Sequence, residues 1–350
     1  MGMNSYTFNF KRLPWSCIGA ILIIILIQFA LASNAVLQNT LFLFTSPSKS
    51  DPLRIHYFLN QAKKDKGKKV FLLGTSQSRE GFDVRALNDH FKDNNITFYN
   101  MGSAAYSGID LYMEIDRILD AKPDIIAYMP YVGNFYLDYD FKRLKYYYHP
   151  KIIPFLLKRI EHKPLFENRW FLFDAYLSKI SYFFKYREEF KPIFYKILDY
   201  LVFRRCKTIE AEYFHYSKNV EPKYFEEQRD RFQGKRFYFS QYTEAEQEAF
   251  QKTVKIIKKN KTPFLVIDAP VNPRIKGVYA AKIENAYEAF LTKLLYNEGI
   301  LFVCKKDLPD FTIDQFIDFT HLNATGRAIL TNHFIKYFET HYRTLIKRDP

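Results

Sequence analysis

Cysteine and glycine are scarce in this chain of 350 residues. The three cysteines, Cys17, Cys206 and Cys304, form neither a CxxC pair nor another metal-ligand spacing, so the sequence predicts no zinc or iron–sulfur site. None of the 12 glycines builds a phosphate-binding loop, and internal repeats are absent. We therefore expect a protein without a metal, nucleotide or other cofactor.

The composition is that of a folded protein with a basic excess. Hydrophobic residues make up 48% and charged residues 26%, which excludes disordered, collagen-like and disulfide-scaffold classes. The length allows one large domain or two ordinary ones. Lys plus Arg number 52 against 38 Asp plus Glu, a formal charge of +14, and such an excess favours anionic partners: phospholipid head groups, acidic polymers or nucleic acid.

No charged residue occurs between Arg12 and Lys49. The run WSCIGAILIIILIQFALA at 15–32 would span roughly 27 Å as a helix, close to the hydrocarbon core of a bilayer. We predict a transmembrane helix or signal anchor at 15–33, with residues 1–14 in the cytoplasm because Lys11 and Arg12 precede the run. A cleaved signal peptide ending at Ala32 is the alternative. Both interpretations place the main domain outside the cytoplasm, where nucleic acid is not an expected partner and where Cys206 and Cys304 have the chance to pair.

Residues 34–68 are polar and lysine-rich, and we interpret them as a stalk or linker. Short apolar runs then alternate with segments of helical spacing, a pattern that predicts a parallel sheet covered by helices on both faces. The predicted strands are 70–74, 96–100, 125–130, 263–270 and 300–305. The predicted helices are 83–93, 111–121, 244–260, 282–299 and 325–345.

Residues 141–240 interrupt this alternation. They contain 22 Lys and Arg against 12 Asp and Glu, and 28 of the chain's 64 aromatic residues. Stretches at 170–190 and 192–205 have helical length, so we predict a helical insertion in an α/β domain formed by 69–140 and 241–350. Its aromatic residues either pack against the sheet domain or form a lid or membrane-facing cap.

Four polar segments follow predicted strands, at the sheet edge where open α/β sheets bind their ligands. Ser76 lies directly after the first strand, Gly102 after the second and Asn134 after the third. Asp318 and His321 form an Asp-x-x-His pair near the C-terminus. A serine hydroxyl, a histidine base and an orienting carboxylate are the components of nucleophilic acyl transfer.

The order Ser, Gly, Asn, Asp-x-x-His resembles that of the SGNH, or GDSL-like, hydrolase superfamily. The resemblance covers about 68–140 and 262–345. It implies a three-layer α/β/α sandwich of flavodoxin-like type with Ser76, Asp318 and His321 as the catalytic triad. It also implies an oxyanion hole formed by Ser76, Gly102 and Asn134.

The anchor, the external domain and the HLNxxG ending are similar to one membrane-anchored branch, which contains proteins of alginate O-acetylation and D-alanyl transfer. This resemblance implies an esterase or O-acyltransferase acting on a cell-envelope polysaccharide or lipid, with membrane lipid and a multi-spanning acyltransferase as partners. The alternative is a catalytically idle module that binds an envelope polymer or a membrane partner. The sequence does not choose between hydrolysis and transfer.

Overall fold

A parallel sheet forms the centre of the molecule. The computed structural model describes residues 15–32, 51–136, 149, 152–158, 169–187, 241–275 and 281–346. Within these residues the sheet has five strands in the order β2-β1-β3-β4-β5, and every neighbouring pair is parallel. The strands are β1 Lys68–Gly74, β2 Ile96–Asn100, β3 Ile125–Met129, β4 Phe264–Ile267 and β5 Leu301–Val303. This order is the flavodoxin-like one, and the predicted five-stranded parallel sheet is confirmed.

Helices connect the strands and extend beyond the sheet. Those of the N-terminal half are α1 Trp15–Ala32, α2 Asp51–Lys64, α3 Ser76–Gly81, α4 Val84–His90, α5 Gly108–Asp120 and α6 Val132–Tyr136. Those that follow are α7 Ile152–Leu157, α8 Arg169–Ile180, α9 Tyr182–Lys185, α10 Gln241–Lys259, α11 Ala281–Glu298 and α12 Ala324–Ile346.

The sheet is buried on both faces because successive side chains of a strand point in opposite directions. Phe71 and Tyr128 face a core that includes side chains of α5, α10 and α11. Leu72 and Met129 face a second core formed with α4 and α12. Helices therefore cover both faces, as the predicted three-layer sandwich requires.

Helix α2 corrects the interpretation of 34–68 as a stalk. Four of its apolar side chains, Ile55, Phe58, Leu59 and Ala62, are buried in the first core. Their i, i+3, i+4, i+7 spacing is that of one helix face. The lysines that follow this face conceal the pattern in the sequence. Residues 33–50 lie outside the described part of the chain.

The predicted N-terminal span and the insertion are only partly described. Residues 15–32 form α1, and no helix in the described ranges is long and apolar enough to cross a membrane. Ser181, next to α9, donates its hydroxyl to the Gln28 side chain of α1 at 3.0 Å. In α7, Phe155 packs against Tyr112 of α5, so this part of the insertion contacts the sheet domain. Residues 188–240 lie outside the described part.

A buried carboxylate lies where α10 meets the start of α5. Glu246 accepts the N–H of Ile109 through Oε2 at 2.9 Å. Burial removes water from this carboxyl group, and the charge of nearby Asp110 adds repulsion, so the pKa of Glu246 rises to about 8. At neutral pH the group is therefore largely protonated.

Candidate active site

The turn after β1 presents Ser76 at the carboxyl edge of the sheet. Gly74 has a φ of +135°, and a Cβ atom there would lie 2.3 Å from the carbonyl oxygen of Met129. Only glycine therefore fits. Thr75 is the N-cap of α3, since its Oγ1 accepts the N–H of Gln77 at 3.1 Å. Ser76 is the first residue of α3, so no acceptor within the helix is available to its N–H.

A short loop carries Asp318 and His321 to the same edge. An isolated antiparallel bridge between Phe316 and Leu322 closes the loop. Across it, the N–H of Ile317 donates to the carbonyl of His321 at 2.9 Å. The loop leads directly into α12.

The three side chains form a continuous chain of hydrogen bonds. His321 Nδ1 lies 2.7 Å from Asp318 Oδ2, and His321 Nε2 lies 2.7 Å from Ser76 Oγ. When Nδ1–H donates to the ionised carboxylate, Nε2 has a free lone pair and accepts from the Ser76 hydroxyl. The structure thus brings together the three residues that the sequence pattern predicts as the triad.

Both oxygens of the Asp318 carboxylate have hydrogen-bond partners. Its Oδ1 accepts the backbone N–H groups of Thr320 at 2.8 Å and of His321 at 2.7 Å. Burial alone would raise the pKa of Asp318, but the hydrogen bond and charge of His321 and these two N–H groups outweigh it and lower the pKa. Asp318 is therefore ionised throughout the neutral range.

The three candidate oxyanion donors differ in their surroundings. Gly102 packs against α3, and a Cβ atom there would lie 2.5 Å from the backbone nitrogen of Arg79. Its N–H donates to the side-chain Oδ1 of Asn100 at 3.0 Å. Asn134 lies in α6, and its side chain is outside the described part of the structure.

Asn100 and Arg54 support the site, and no sequence motif predicts this role for either residue. The Asn100 side chain donates to the carbonyls of Ser78 at 3.2 Å and Arg79 at 3.1 Å, which fastens the end of β2 to α3. The Arg54 guanidinium, from α2, donates to the carbonyl of Asn100 at 3.2 Å and is fully buried. The position of Asn100 at a strand end was the available signal. No sequence signal marked Arg54, because its segment was interpreted as a linker.

The described residues include neither a cluster of metal-ligand side chains nor a disulfide bond. These contain no group of three or more His, Cys, Asp or Glu side chains arranged to hold a metal ion. Cys17 and Cys304 are free thiols. Cys206 falls outside the described ranges, so its predicted chance of pairing with Cys304 stays open.

Comparison with known proteins gives only distant structural similarity. No protein-family model matches the chain, and no curated protein matches it. Among 14 matching solved chains is LAE5, an α/β hydrolase from the metagenome of Lake Arreo, Spain, with 13% identity, TM-score 0.38, and coverage of 78% of this chain and 94% of LAE5. The acetyl xylan esterase AlAXEase has 12% identity and a TM-score of 0.39, and the match covers 77% of this chain and 98% of AlAXEase.

A third structure is a catalytic mutant of Axe2, an acetylxylan esterase from Geobacillus stearothermophilus. It has 11% identity, TM-score 0.40, and coverage of 78% of this chain and 94% of that one. Similarity at this level carries no argument about activity. Conclusions about chemistry therefore depend on the site itself.

Proposed function

We propose that the chain is an SGNH-type serine esterase or O-acyltransferase that works through an acyl-serine intermediate. The observation that carries the proposal is the unbroken contact from Asp318 through His321 to Ser76 at the carboxyl edge of the sheet. Each type of side chain has the partner that nucleophilic catalysis needs. The alternative, an idle binding module, gives no reason for Ser76 and His321 to be in hydrogen-bond contact.

The proton path follows from the geometry. His321 Nε2 takes the Ser76 hydroxyl proton while Oγ forms a bond to the acyl carbon. The resulting imidazolium then returns that proton to the departing alcohol oxygen as its bond to the acyl carbon breaks. In the second half, water or a sugar hydroxyl attacks the acyl-serine, Nε2 accepts its proton, and Ser76 Oγ regains a proton as it leaves. Asp318 holds the ring in the required tautomer and stabilises the imidazolium.

The oxyanion that develops on the acyl carbonyl needs donors. In our proposal these are the N–H groups of Ser76 and Gly102 together with the Asn134 side chain. The Gly102 N–H must exchange its bond to Asn100 for one to the oxyanion. Loss of one such donor typically costs about 3 kcal/mol of barrier.

The acceptor decides between the two reaction outcomes. Water makes the chain an esterase, and a hydroxyl of an envelope polysaccharide or lipid makes it a transferase. The resemblance to the alginate and D-alanyl branch favours an envelope substrate and a multi-spanning acyltransferase as partner. Incubation with p-nitrophenyl acetate, with and without an acceptor sugar, separates the outcomes when free acetate and acetylated sugar are quantified. Both outcomes release p-nitrophenol, and only transfer converts part of the acetyl group to a sugar ester.

A fluorophosphonate serine probe tests the proposal directly. We expect the probe to label wild-type protein and the Ser78→Ala variant, and not the Ser76→Ala variant. Ser78 is a matched control because it lies in the same helix and is fully buried. Absence of labelling in folded wild-type protein would support the idle module.

We further propose that the charge-free segment between Arg12 and Lys49, of which α1 is the described part, anchors the chain in a membrane with the α/β domain outside the cytoplasm. The charge-free sequence of α1 supports this, as do its exposed isoleucine, leucine and phenylalanine side chains. A reporter fused after Pro350 should then be active only outside the cytoplasm, and the protein should resist alkaline extraction. A soluble chain shortened near Ala32 would instead establish a cleaved signal peptide.

Helix α8 is the proposed contact with the lipid head groups. Trp170, Phe173, Tyr176 and Ile180 share one helix face and are 51–68% exposed. Aromatic side chains beside lysines and arginines suit a head-group interface, and anionic lipid suits the basic insertion.

The chain has 2 tryptophans, so Trp15→Phe leaves Trp170 as the single tryptophan, which can be excited selectively at the red edge of its absorption. Brominated lipid in nanodiscs should quench Trp170, more with anionic than with neutral lipid. It should not quench a tryptophan placed at the exposed Tyr296 of α11 in a variant lacking both native tryptophans. Equal quenching at the two positions would contradict the assigned face.

A further inference from the structure

The loop that carries Asp318 and His321 is held by its buried Phe319 and Leu322 side chains and by hydrogen bonds from other elements. Apart from the single bridge between Phe316 and Leu322, it belongs to no strand or helix. Its N–H groups at Thr320 and His321 are directed to the Asp318 carboxylate. Its carbonyl groups at Asp318 and Thr320 connect the loop to other elements.

Both carbonyls accept from buried side-chain amides. Gln77 Nε2 donates to the carbonyl of Thr320 at 3.0 Å, and Asn272 Nδ2 donates to the carbonyl of Asp318 at 3.1 Å. Gln77 is 5% exposed and Asn272 is fully buried. These two donors bond to alternate carbonyls of the four-residue segment that ends at His321.

Gln77 is the residue that follows the proposed nucleophile. Its backbone N–H is fixed by Thr75 Oγ1, and its Nε2 also reaches the carbonyl of Pro270 at 3.4 Å, in the loop after β4. One side chain thus connects the helix that bears Ser76 with the loop that bears His321. With both of its N–H bonds directed at carbonyl oxygens, the amide orientation is determined, because the flipped amide would place oxygen against oxygen.

Asn272 contacts the same loop from the segment that follows β4. Its Oδ1 accepts the N–H of Arg274 at 2.9 Å, which orients the amide, and its Nδ2 is then directed to Asp318. Neither residue touches the reacting atoms. Both bond to the loop that carries the imidazole, and catalytic groups need placement within about 0.5 Å.

We infer that Gln77 and Asn272 are the positioning residues of the triad: the Gln77 amide, bonded to the Thr320 carbonyl, sets the Ser76–His321 contact, and Asn272 sets the Asp318 end of the loop. The inference rests on the proposed function for its effect on rate. Its structural part, the fixed position of the imidazole, is independent of turnover.

Gln77→Met is the decisive variant because methionine retains the length and volume of the side chain and removes the donor. Asn88→Leu is the control and matches Asn272→Leu, since Asn88 likewise donates Nδ2 to a backbone carbonyl and accepts a backbone N–H, both of Phe98 and away from the loop. Asn272→Leu removes the second donor and provides an independent test should Gln77→Met fail to fold.

Two measurements on the full chain give separate readouts. With p-nitrophenyl acetate we expect kcat to fall about 10–100-fold in Gln77→Met and Asn272→Leu, with KM within about twofold, because misplacement affects the reaction more than binding. By NMR on histidine-labelled protein, we expect the Nδ1 proton of His321 to exchange with solvent at least about tenfold faster than in wild type. Asn88→Leu should leave both values unchanged.

The outcomes distinguish this inference from the proposed function. Unchanged kcat and unchanged proton exchange in Gln77→Met and Asn272→Leu would overturn the positioning role. A wild-type imidazole without a protected Nδ1 proton would also overturn it, because the loop would then not be fixed. If wild type fails to turn over ester while the variants still accelerate proton exchange, the positioning role stands and the esterase proposal is wrong.

Discussion

The Nε2 atom of His321 lies 2.7 Å from the Oγ atom of Ser76, although 245 positions separate the two residues in the sequence. This contact joins the beginning of the sheet domain to its last loop. It predicts that the two side chains act as one unit.

Ser76→Ala and His321→Ala should each reduce hydrolysis of p-nitrophenyl acetate by about 10⁴-fold or more, and the double variant should be little worse than either one. Either single substitution removes the proton transfer on which the other residue depends. Steady-state kinetics measures the losses, with the exposed His90→Gln as control. If the loss in the double variant equals the product of the two single losses, the residues act independently, and this would contradict the triad.

Asp318→Asn should reduce kcat by about 10³–10⁴-fold while the fold is retained. The carboxamide presents an N–H group to Nδ1, which favours the tautomer with its proton on Nε2, and that tautomer cannot accept from Ser76. Asp310→Asn, in an exposed loop, is the control. Wild-type kcat in Asp318→Asn would show that Asp318 does not orient the ring.

Gly102→Ala should lower both stability and activity. The new Cβ atom would lie 2.5 Å from the backbone nitrogen of Arg79, so α3 and Ser76 must shift. Overpacking of this kind typically costs about 1–3 kcal/mol of stability. Gly299→Ala is the control, because a Cβ there meets nothing within 4 Å and only its positive φ opposes the change. Activity well below the melting temperature should fall only in Gly102→Ala. Equal activity in the two variants would contradict the close packing of Gly102 on α3.

Glu246 should make the protein less stable as pH rises from about 4.5 to about 8. Its pKa is about 8 in the folded protein against 4.5 for an ordinary glutamate, so in this interval only the folded state holds the proton. The contribution of the protonated Glu246 to folding stability is fully present below the unfolded pKa of 4.5 and is lost above the folded pKa of about 8. Asp268, with a pKa raised to about 6 by burial, adds to the trend at the acid end.

Glu246→Gln should reduce this pH dependence and stabilise the protein at pH 8, because the amide carries no charge. Glu244→Gln, exposed on the same helix, should not. Thermal melts at about pH 5 and about pH 8 measure the difference, which is on the order of a few kcal/mol for the fully buried group. Parallel melting profiles in Glu246→Gln and wild type would show that Glu246 titrates normally.

The sequence predicted the sheet well because its strands are short apolar runs with clear ends. Gly74 and Asn100 mark two of those ends, and parallel strands bring their carboxyl ends to one edge, so the residues of the site could be chosen before their contacts were known. Helix α2 was missed because its buried face is interrupted by polar residues and followed by lysines. Gln77 and Asn272 were missed for another reason: their partners are backbone carbonyls, which every residue possesses, so no pattern of residue types marks them.

The loop of Asp318 and His321 comes after β5, so the site is complete only when the last part of the chain is available. During synthesis Ser76 leaves the ribosome long before its base, and domains generally fold as units, with N-terminal parts made first. A nascent chain therefore carries a serine with no imidazole beside it. In the proposed mechanism, chemistry at Ser76 begins only after translation has delivered the strands and the loop that activate it.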